Sequence, residues 1–441
     1  MSKFLSLILF SILSASAWGS PPSDQVQVNL NVEKWTLPNG LTVLFHEDHS
    51  VPLVNYQQWF RVGSKDEVVG KTGLAHFFEH LMFRGSKNFP EETFSRVLNS
   101  KGANFNASTT MDYTNYYIEA PSSELEYLIR VEADRMRNLT INPSTINPER
   151  EVVKEERRSR YENSPEAFQW VILPELMYKN LPYRWPTIGS MKDLNSASVA
   201  DFQNFYNEFY APNNAVIVVA GDFKTADAKK WIEKAYGNFA AQELKRPEYK
   251  PEVPQRKRRS KTISWKVQGP ILTMAYHTVS LLDKESYALE LLGSILGDGD
   301  SSRLHQELVY KGQMATSVGS FYYGQLLAGR LLFVASLKNG TSTSKVTSLI
   351  QKAIYRIQKN GVTDRELEKV KNQILTQQVG SLKSISGRAR ALAFNEIVFN
   401  DYTRLFTDLE KYLAVTKEDI QKVAKKFLNS YQQNIVIVKP K

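Results

Sequence analysis

The stretch Gly73-Leu74-Ala75-His76-Phe77-Phe78-Glu79-His80-Leu81-Met82-Phe83 sets two imidazoles and a carboxylate in an otherwise apolar segment. At helical spacing His76 and His80 lie one turn apart on the same face, and Glu79 points to nearly the same side. Ionisable groups on an apolar helix are costly to bury unless a partner satisfies them. A bound Zn²⁺ would do so, with two neutral imidazoles as ligands and the glutamate beside it. The segment alone leaves another interpretation open, in which the polar residues face solvent or bond within the core.

A second acidic helix is a candidate source of the third ligand. A catalytic zinc site takes three protein ligands and keeps one open position. Counted at helical spacing, Glu149 and Glu156 share a face with Val152 and Val153, which predicts two carboxylates on a buried stripe. A metal would explain carboxylates in such a place.

The start of this second helix is predicted at Asn147 and Pro148, a favourable N-cap followed by a proline suited to the first helical position. Glu151 and Glu155 would then lie off the buried face, in solvent. The alternative is that the whole helix is acidic and exposed, beside the arginines that follow it.

Composition narrows the class of protein. With 441 residues the chain exceeds one ordinary core, so two to three domains are expected. The 56 basic and 46 acidic residues give a net charge of +10, which favours a solvated basic face over acidic partners, and no nucleic-acid partner is expected. Because the chain has no cysteine, disulfides and thiolate ligands are excluded, and any zinc must bind to His, Asp or Glu.

Residues 1–17 are predicted to be a secretory signal peptide. Lys3 precedes the apolar run Phe4–Leu13, and Ala15-Ser16-Ala17 fits cleavage after Ala17. The run is shorter than the roughly 20 residues that a membrane-spanning helix needs, and an uncleaved anchor is the alternative. The protein is therefore expected to be periplasmic or secreted, with no integral membrane segment after cleavage.

The rest of the chain is predicted to form two α+β domains, at residues 21–242 and 263–441. Residues 243–262 are rich in proline and basic residues without periodicity, which predicts a linker. Phe94–Gly102 has an echo in Arg303–Gly312, each a helix ending in Lys-Gly with the glycine suited to the position after the C-cap. The second half lacks an H-x-x-E-H motif, so only the first is expected to hold the chemistry.

Several motifs, in order along the chain, resemble those of the M16 family of zinc peptidases, most closely its short-chain bacterial and mitochondrial-type members. The H-x-x-E-H order is the inverse of the commoner zinc-peptidase helix motif. The resemblance covers nearly the whole mature chain. It implies two homologous α/β-sandwich domains that form half of a clam-shaped chamber. The motifs are Leu37–Leu41, Gly63–Glu67, Gly73–Phe83, Asn106–Thr109, Ala133–Met136 and Tyr210–Ala215.

The resemblance implies a zinc-dependent endopeptidase that hydrolyses extended or unfolded peptides, with Zn²⁺ as cofactor. His76 and His80 match the zinc histidines, and Glu156 matches the distal glutamate ligand. Glu79 matches the general base, and Glu149 matches a second acidic position that supports the site. Asn106 and Ala107 lie in a strand that resembles the edge to which family substrates add a strand through backbone hydrogen bonds.

One departure from the family affects the expected partners. Self-sufficient members carry an Arg and Tyr pair in the C-terminal half that grips the substrate. The corresponding region, Ser320–Arg330, does not show the family spacing, although Tyr322, Tyr323 and Arg330 leave the point open. A catalytic subunit working with a homologous partner that has lost its zinc site is therefore expected, with a homodimer as the alternative. A non-catalytic scaffold or peptide-binding subunit is the alternative function.

Overall fold

The computed structural model describes residues 30–441, which form two β-sheets and fourteen α-helices. The predicted signal peptide, residues 1–17, lies outside the described residues. Among the residues that are described, no helix combines the length and the apolar character needed to cross a bilayer.

Residues 30–258 contain six strands and eight helices. The strands are β1 (Glu33–Thr36), β2 (Thr42–Glu47), β3 (Leu53–Phe60), β4 (Asn104–Thr109), β5 (Thr114–Pro121) and β6 (Ala215–Gly221). The helices are α1 (Leu74–Leu81), α2 (Glu91–Ser100), α3 (Leu125–Asn138), α4 (Pro143–Arg157), α5 (Pro165–Met177), α6 (Met191–Ser196), α7 (Val199–Phe209) and α8 (Thr225–Tyr236).

The second half contains five strands and six helices. The strands are β7 (Arg259–Trp265), β8 (Ile271–Thr278), β9 (Ala315–Gly324), β10 (Gly329–Leu337) and β11 (Asn434–Pro440). The helices are α9 (Glu285–Gly297), α10 (Thr343–Asn360), α11 (Asp364–Ser381), α12 (Ile385–Phe399), α13 (Arg404–Ala414) and α14 (Lys417–Phe427).

The two sheets share one topology, which confirms the prediction of two similar α+β domains. The first sheet has the order β1-β2-β6-β3-β5-β4, and the second has the order β7-β11-β8-β10-β9. In the first, β2 and β6 are parallel and every other pair is antiparallel; in the second, β7 and β11 are the parallel pair. Once β1 is set aside, each strand of one sheet therefore has a counterpart in the other, and β4 corresponds to β9.

Each domain covers one face of its sheet with its own helices and the other face with a helix from the other domain. From the C-terminal half, α12 packs on β6 and β3, where Leu392 and Ala393 join a buried cluster with Trp59. From the N-terminal half, α5 packs on β11, β7 and β8, where Leu173 joins a cluster with Leu332. This reciprocal exchange buries apolar surface on both sheets and joins the two domains into one body.

The connection between the two sheets is extended and bound to the protein surface. From Ala240 to Lys257 it has no helix or strand, and β7 begins at Arg259, inside the predicted linker 243–262. Along it, the Tyr249 hydroxyl donates to the backbone oxygens of Lys65 and Glu67 at 2.7 and 2.9 Å. These contacts hold the connection beside the segment that leads into α1.

The predicted echo of two helices ending in Lys-Gly is found only in part. Gly102 follows the C-cap of α2 with φ +71°, the left-handed conformation that favours glycine. The prediction is wrong for Gly312, which ends a π-helical segment, His305–Lys311, in the right-handed region. The next residue, Gln313, has φ +47° and makes the left-handed turn instead.

A half-buried histidine at the domain boundary predicts a pH-dependent stability. His277, on β8, packs its ring edge-on against Tyr178 with centroids 5.2 Å apart. Burial lowers the pKa of His277 from 6.5 to about 4. Between these values the unfolded chain binds more protons than the folded one, so stability rises with pH across the window and is lost as pH falls through it.

We therefore expect His277→Gln to remove part of this pH dependence. At about pH 5 the wild-type free energy of unfolding should be lowered by roughly 2 kcal/mol through this residue alone. Denaturant unfolding of wild type and variant at about pH 5 and pH 7.5 measures the change. If the free energies of unfolding of wild type and variant differed by the same amount at both pH values, the prediction would be wrong.

Candidate metal centre

Helix α1 begins where the backbone makes a close approach that only glycine permits. Gly73, its N-cap, has φ +96°, and an added Cβ would lie 2.7 Å from the backbone oxygen of Ile188. The carboxylate of Glu67 accepts hydrogen bonds from the N–H groups of Gly73 and Ala75 at 2.9 and 2.8 Å. Glu67 therefore satisfies the first turn of the helix and fixes where it starts.

The apolar residues of α1 hold the helix against α7. Phe77 and Phe78 are fully buried, and their rings pack on Phe202 with centroids 4.7 and 5.8 Å apart. This packing sets the rotation of α1. As a result His76 and His80 approach α4, with their ring centroids 4.8 Å apart.

The predicted start of α4 is wrong. The helix begins five residues earlier, with Asn142 as N-cap accepting hydrogen bonds from the N–H groups of Ser144 and Thr145. Asn147 and Pro148 lie inside the helix rather than at its first turn. The chain contains two Asn-Pro pairs five residues apart, and local preferences alone do not distinguish them; the earlier pair also has a Thr three residues after the Asn that completes a capping box.

The buried face of α4 is also shifted from the predicted one. Glu149 and Val153 are buried, but Val152 is 45% exposed, so its assignment to the buried stripe is wrong. The buried positions are Ile146, Glu149, Val153 and Arg157, and their centre lies about 100° around the helix from Val152. Glu151 and Glu155 are in solvent, as predicted.

His76, His80 and Glu156 form a group that could hold a metal ion, with one ligand atom from each residue and all three atoms within 4.8 Å of one another. Glu156 Oε2 lies 3.2 Å from His80 Nε2 and 3.6 Å from His76 Nε2. This oxygen is buried and meets hydrogen-bond geometry with no described atom. A buried carboxylate oxygen facing two imidazoles without a hydrogen bond fits a cation between them.

Glu149 supports the second histidine from the far side of its ring. Its Oε1 lies 2.7 Å from His80 Nδ1, and its Oε2 accepts a hydrogen bond from Arg84 Nε. Such a carboxylate fixes the ring orientation and directs the other imidazole nitrogen, Nε2, towards a metal. Burial alone would raise the pKa of Glu149, but hydrogen bonds to His80 and Arg84 outweigh it and hold the pKa below its usual value.

The two histidines differ sharply in electrostatics. Burial, and then the charge of His80, lower the pKa of His76 to about 4. Burial alone would also lower the pKa of His80, but the hydrogen bond to Glu149 and the nearby carboxylate of Glu156 raise it to about 9. The carboxylates of Glu149 and Glu156 thus face the two nitrogens of the His80 ring and favour positive charge there.

Glu79 lies between the histidines in sequence and lines a cleft next to them. The cleft, of about 410 Å³, is lined by Glu79, His80, Phe83, Arg84, Glu91, Ser95, Asn106 and Glu149. Burial raises the pKa of the Glu79 carboxyl above its usual value. A carboxylate with a raised pKa is a better proton acceptor near neutral pH.

The strand predicted to receive substrate, β4, is the edge strand of the first sheet, and among residues 30–441 it pairs only with β5. Asn106 lines the same cleft as Glu79. The N–H of Ala107 is bonded to the side-chain oxygen of Asn106 at 2.8 Å. The free edge of β4 therefore opens onto the cleft that contains the candidate base.

The residues weighed as a substrate grip lie in the hairpin formed by β9 and β10. The Tyr322 hydroxyl donates to the backbone oxygen of Val279 at 2.9 Å, and Arg330 stacks on Tyr323 at 4.9 Å while itself 5% exposed. The hairpin loop meets the N-terminal domain through Asp112, which accepts from the N–H of Leu326 at 3.2 Å.

The structure shows three residues with contacts at the site that the sequence motifs do not predict. Glu67 holds the start of α1, Arg84 bonds Glu149, and Arg160 bonds Glu156. A sequence signal exists for Arg160, which follows Glu156 by four residues, the spacing of an i,i+4 pair. Arg84 has no such signal, because its partner Glu149 lies 65 residues away along the chain. Glu67 could not have been found this way, since its contact with the helix start depends on the fold of the loop.

The fold and the site together define a two-domain α+β protein with a single candidate metal centre among residues 30–441. Two family models match the chain. The one described as insulinase (peptidase family M16) matches residues 42–190, and the one described as the peptidase M16 inactive domain matches residues 196–374. The chain belongs to the M16 peptidase family.

The chain is similar to proteins named as zinc proteases. Zinc protease PqqE from Helicobacter pylori is 29% identical over 92% of this chain and 93% of that protein. Uncharacterized zinc protease YmxG from Bacillus subtilis is 25% identical over 89% of this chain and 95% of that protein. Similarity along both whole chains indicates that the two-domain arrangement is shared.

Solved structures share the fold. A protease from Helicobacter pylori superposes with a TM-score of 0.88 at 29% identity, covering 93% of this chain and 100% of that one. The periplasmic protease PqqL from Escherichia coli superposes with a TM-score of 0.74 at 18% identity, and the match covers 93% of this chain and 48% of that one. At 18% identity, the similarity to PqqL shows a shared fold and nothing further.

Glu149→Gln is expected to weaken metal binding without abolishing it. A neutral amide accepts a weaker hydrogen bond from His80 Nδ1, and Arg84 keeps Glu91 but loses Glu149 as a charged partner, so the metal affinity should fall by about tenfold. Competition with a chromophoric chelator measures the affinity. Glu151→Gln, on the exposed face of the same helix, is the matched control and should leave it unchanged; equal affinities for the two variants would contradict the supporting role.

Proposed function

We propose that this protein is a zinc-dependent endopeptidase that hydrolyses extended or unfolded peptides. The observation that carries the proposal is the group of His76, His80 and Glu156, whose unbonded carboxylate oxygen faces both imidazoles. Two neutral imidazoles and one carboxylate form the ligand set of a catalytic zinc site with one position left open. Membership of the M16 family and the names of the relatives support zinc over other metals.

In this proposal each residue of the site has one role. His76, His80 and Glu156 hold the metal, and Glu149 orients His80 through Nδ1. When bound, zinc polarises the peptide carbonyl and makes water more acidic. Glu79 accepts the proton from the attacking water and passes it to the leaving amine, because it lies in the same cleft and burial raises its pKa.

The substrate is proposed to bind along β4 as an added strand. Backbone groups at a free sheet edge bind any extended peptide with little regard to side chains, so unfolded segments are favoured over folded proteins. Asn106 and Ala107 are the proposed contacts, since Asn106 borders both the edge and the cleft. Half of a clam-shaped chamber, formed by the two domains, is the proposed enclosure.

The proposed assembly is a catalytic subunit with a homologous partner, with a homodimer as the alternative. The Tyr322 hydroxyl is engaged within its own domain by its hydrogen bond to Val279, which supports a substrate grip supplied by a second subunit. Mass measurement of the complex purified from its native source tests this. A partner of similar size supports the heterodimer, and a monomer that cleaves peptides at full rate would overturn both assemblies.

Two further points stay predictions: the domain limits, 21–242 and 263–441, and export through residues 1–17. Mass determination of the mature protein tests export. Cleavage after Ala17 is expected, and an N-terminus at residue 1 in exported protein would contradict it.

The test of the proposed activity uses the full chain, supplied with its partner when one co-purifies, and an unstructured peptide. Cleavage should stop with a chelator and return when about one equivalent of zinc is added. Peptide affinity that survives chelation, without turnover in any metal state, would instead support the alternative function of a scaffold or peptide-binding subunit. The description of the second family model as an inactive domain is the observation that keeps this alternative under test.

A further inference from the structure

Glu156 uses its two carboxylate oxygens for different purposes. Oε1 accepts a hydrogen bond from Arg160 at 2.7 Å. Oε2 is buried, has no hydrogen-bond partner within residues 30–441, and faces the nitrogens of His76 and His80. The arginine therefore engages the oxygen that is not directed towards the candidate metal.

The other carboxylate of the site shows the same division. Glu149 bonds Arg84 with one oxygen and His80 with the other. Each glutamate of α4 at this centre thus has one oxygen held by an arginine and one turned to the metal-binding group. Since a carboxylate rotates easily about its last torsion, an arginine on one oxygen restrains that rotation and leaves a single oxygen for the other partner.

Arg160 lies where the helix changes its winding. It belongs to a π-helical turn, Arg158–Glu162, that follows α4 directly and is closed by the N–H of Asn163 donating to the oxygen of Arg158 at 2.8 Å. Such turns are rare and recur at functional sites. The Arg160 side chain is 63% exposed, and within residues 30–441 its ion-pair partner is Glu156 alone, so core packing does not account for its contact.

We propose that Arg160 is a positioning residue for the metal centre, which holds Glu156 so that Oε2 alone is offered to the ion. This inference rests on the proposed function, because it assumes that zinc binds between His76, His80 and Glu156. It goes beyond the ligand set by assigning a task to a residue that touches neither metal nor substrate.

Removing Arg160 would have two opposite effects on the zinc affinity. Loss of a nearby positive charge would tighten the binding of a cation, by an amount that solvent screening keeps small at an exposed side chain. Loss of the orienting hydrogen bond would weaken binding, by about tenfold for a partner of this kind. Positioning therefore predicts weaker binding, whereas an effect of charge alone predicts tighter binding.

The test compares Arg160→Gln, Arg160→Lys and a matched control, Arg158→Gln, in the full chain. Arg158 belongs to the same π-helical turn and pairs with the exposed Glu155 at 3.0 Å, away from the metal group. Zinc affinity is measured by competition with a chromophoric chelator, and the visible spectrum of the cobalt-substituted protein reports the ligand arrangement. Thermal unfolding of the chelator-treated proteins verifies that the variants fold.

Arg160→Gln should bind zinc about tenfold more weakly than wild type, and the spectrum of its cobalt form should differ from that of wild type. Arg160→Lys should recover most of the zinc affinity. Arg158→Gln should match wild type in both measurements. Equal or tighter zinc binding by Arg160→Gln, with an unchanged cobalt spectrum, would overturn the positioning role and leave the proposed function intact. Wild-type protein that binds no zinc would overturn the proposed function and this inference with it.

Discussion

Glu79→Gln should lower the rate of peptide cleavage by about a thousandfold, because an amide cannot accept the proton of the attacking water. The substitution keeps nearly the same volume and removes no metal ligand. Zinc content should therefore stay at about one ion per chain. The measurement is kcat for an unstructured peptide, together with elemental analysis of the same sample.

Loss of turnover together with full zinc content in Glu79→Gln would identify Glu79 as the general base. If Glu79→Gln cleaved the peptide as fast as wild type, the assignment of Glu79 would be wrong. A variant that had lost both zinc and activity would instead place Glu79 among the ligands, which would contradict its separation from the metal group.

Glu156→Gln should lose both zinc and activity. A neutral amide is a poor zinc ligand compared with a carboxylate, and two imidazoles alone do not complete a catalytic site. Bound zinc should fall from about one ion per chain to nearly none after dialysis, and cleavage should fall to the chelated level.

Glu155→Gln is the matched control, because Glu155 is the adjacent residue, is 66% exposed and pairs with Arg158 instead of the metal group. It should retain both zinc and activity. Full zinc content in Glu156→Gln, or equal loss in both variants, would contradict the assignment of Glu156 as the third ligand.

The part of the site that could be predicted from sequence is the part that depends on helix periodicity. His76 and His80 meet because residues four apart on a helix always share a face. Glu149 and Glu156 share a face for the same reason. This holds even though the predicted start of α4 was five residues late, because the phase of a helix does not depend on where it begins.

Helix periodicity could not predict which face of α4 packs against the core. Val152 was assigned to the buried stripe with Val153, and the helix instead turns Val153 and Arg157 inwards and leaves Val152 in solvent. Two valines in succession cannot both lie at the centre of one face, and only the packing of α4 against α1 and α6 decides between them.

The exchange of helices between the domains also lies beyond sequence pattern. A strand such as β6, buried along its whole length, predicts cover on both faces without indicating its source. Here α12 arrives from the other half of the chain, more than 160 residues after β6 in sequence. The sequence predicts two similar domains, but the matching strand order of their sheets follows only from the strand pairings.

The most direct test of the central claim is a crystal structure of the purified, zinc-replete protein with anomalous data collected at the zinc edge. We expect one peak bonded to His76, His80 and Glu156, at about 2.0–2.2 Å from each ligand atom. The absence of zinc there, or a peak at any other group of residues, would contradict it.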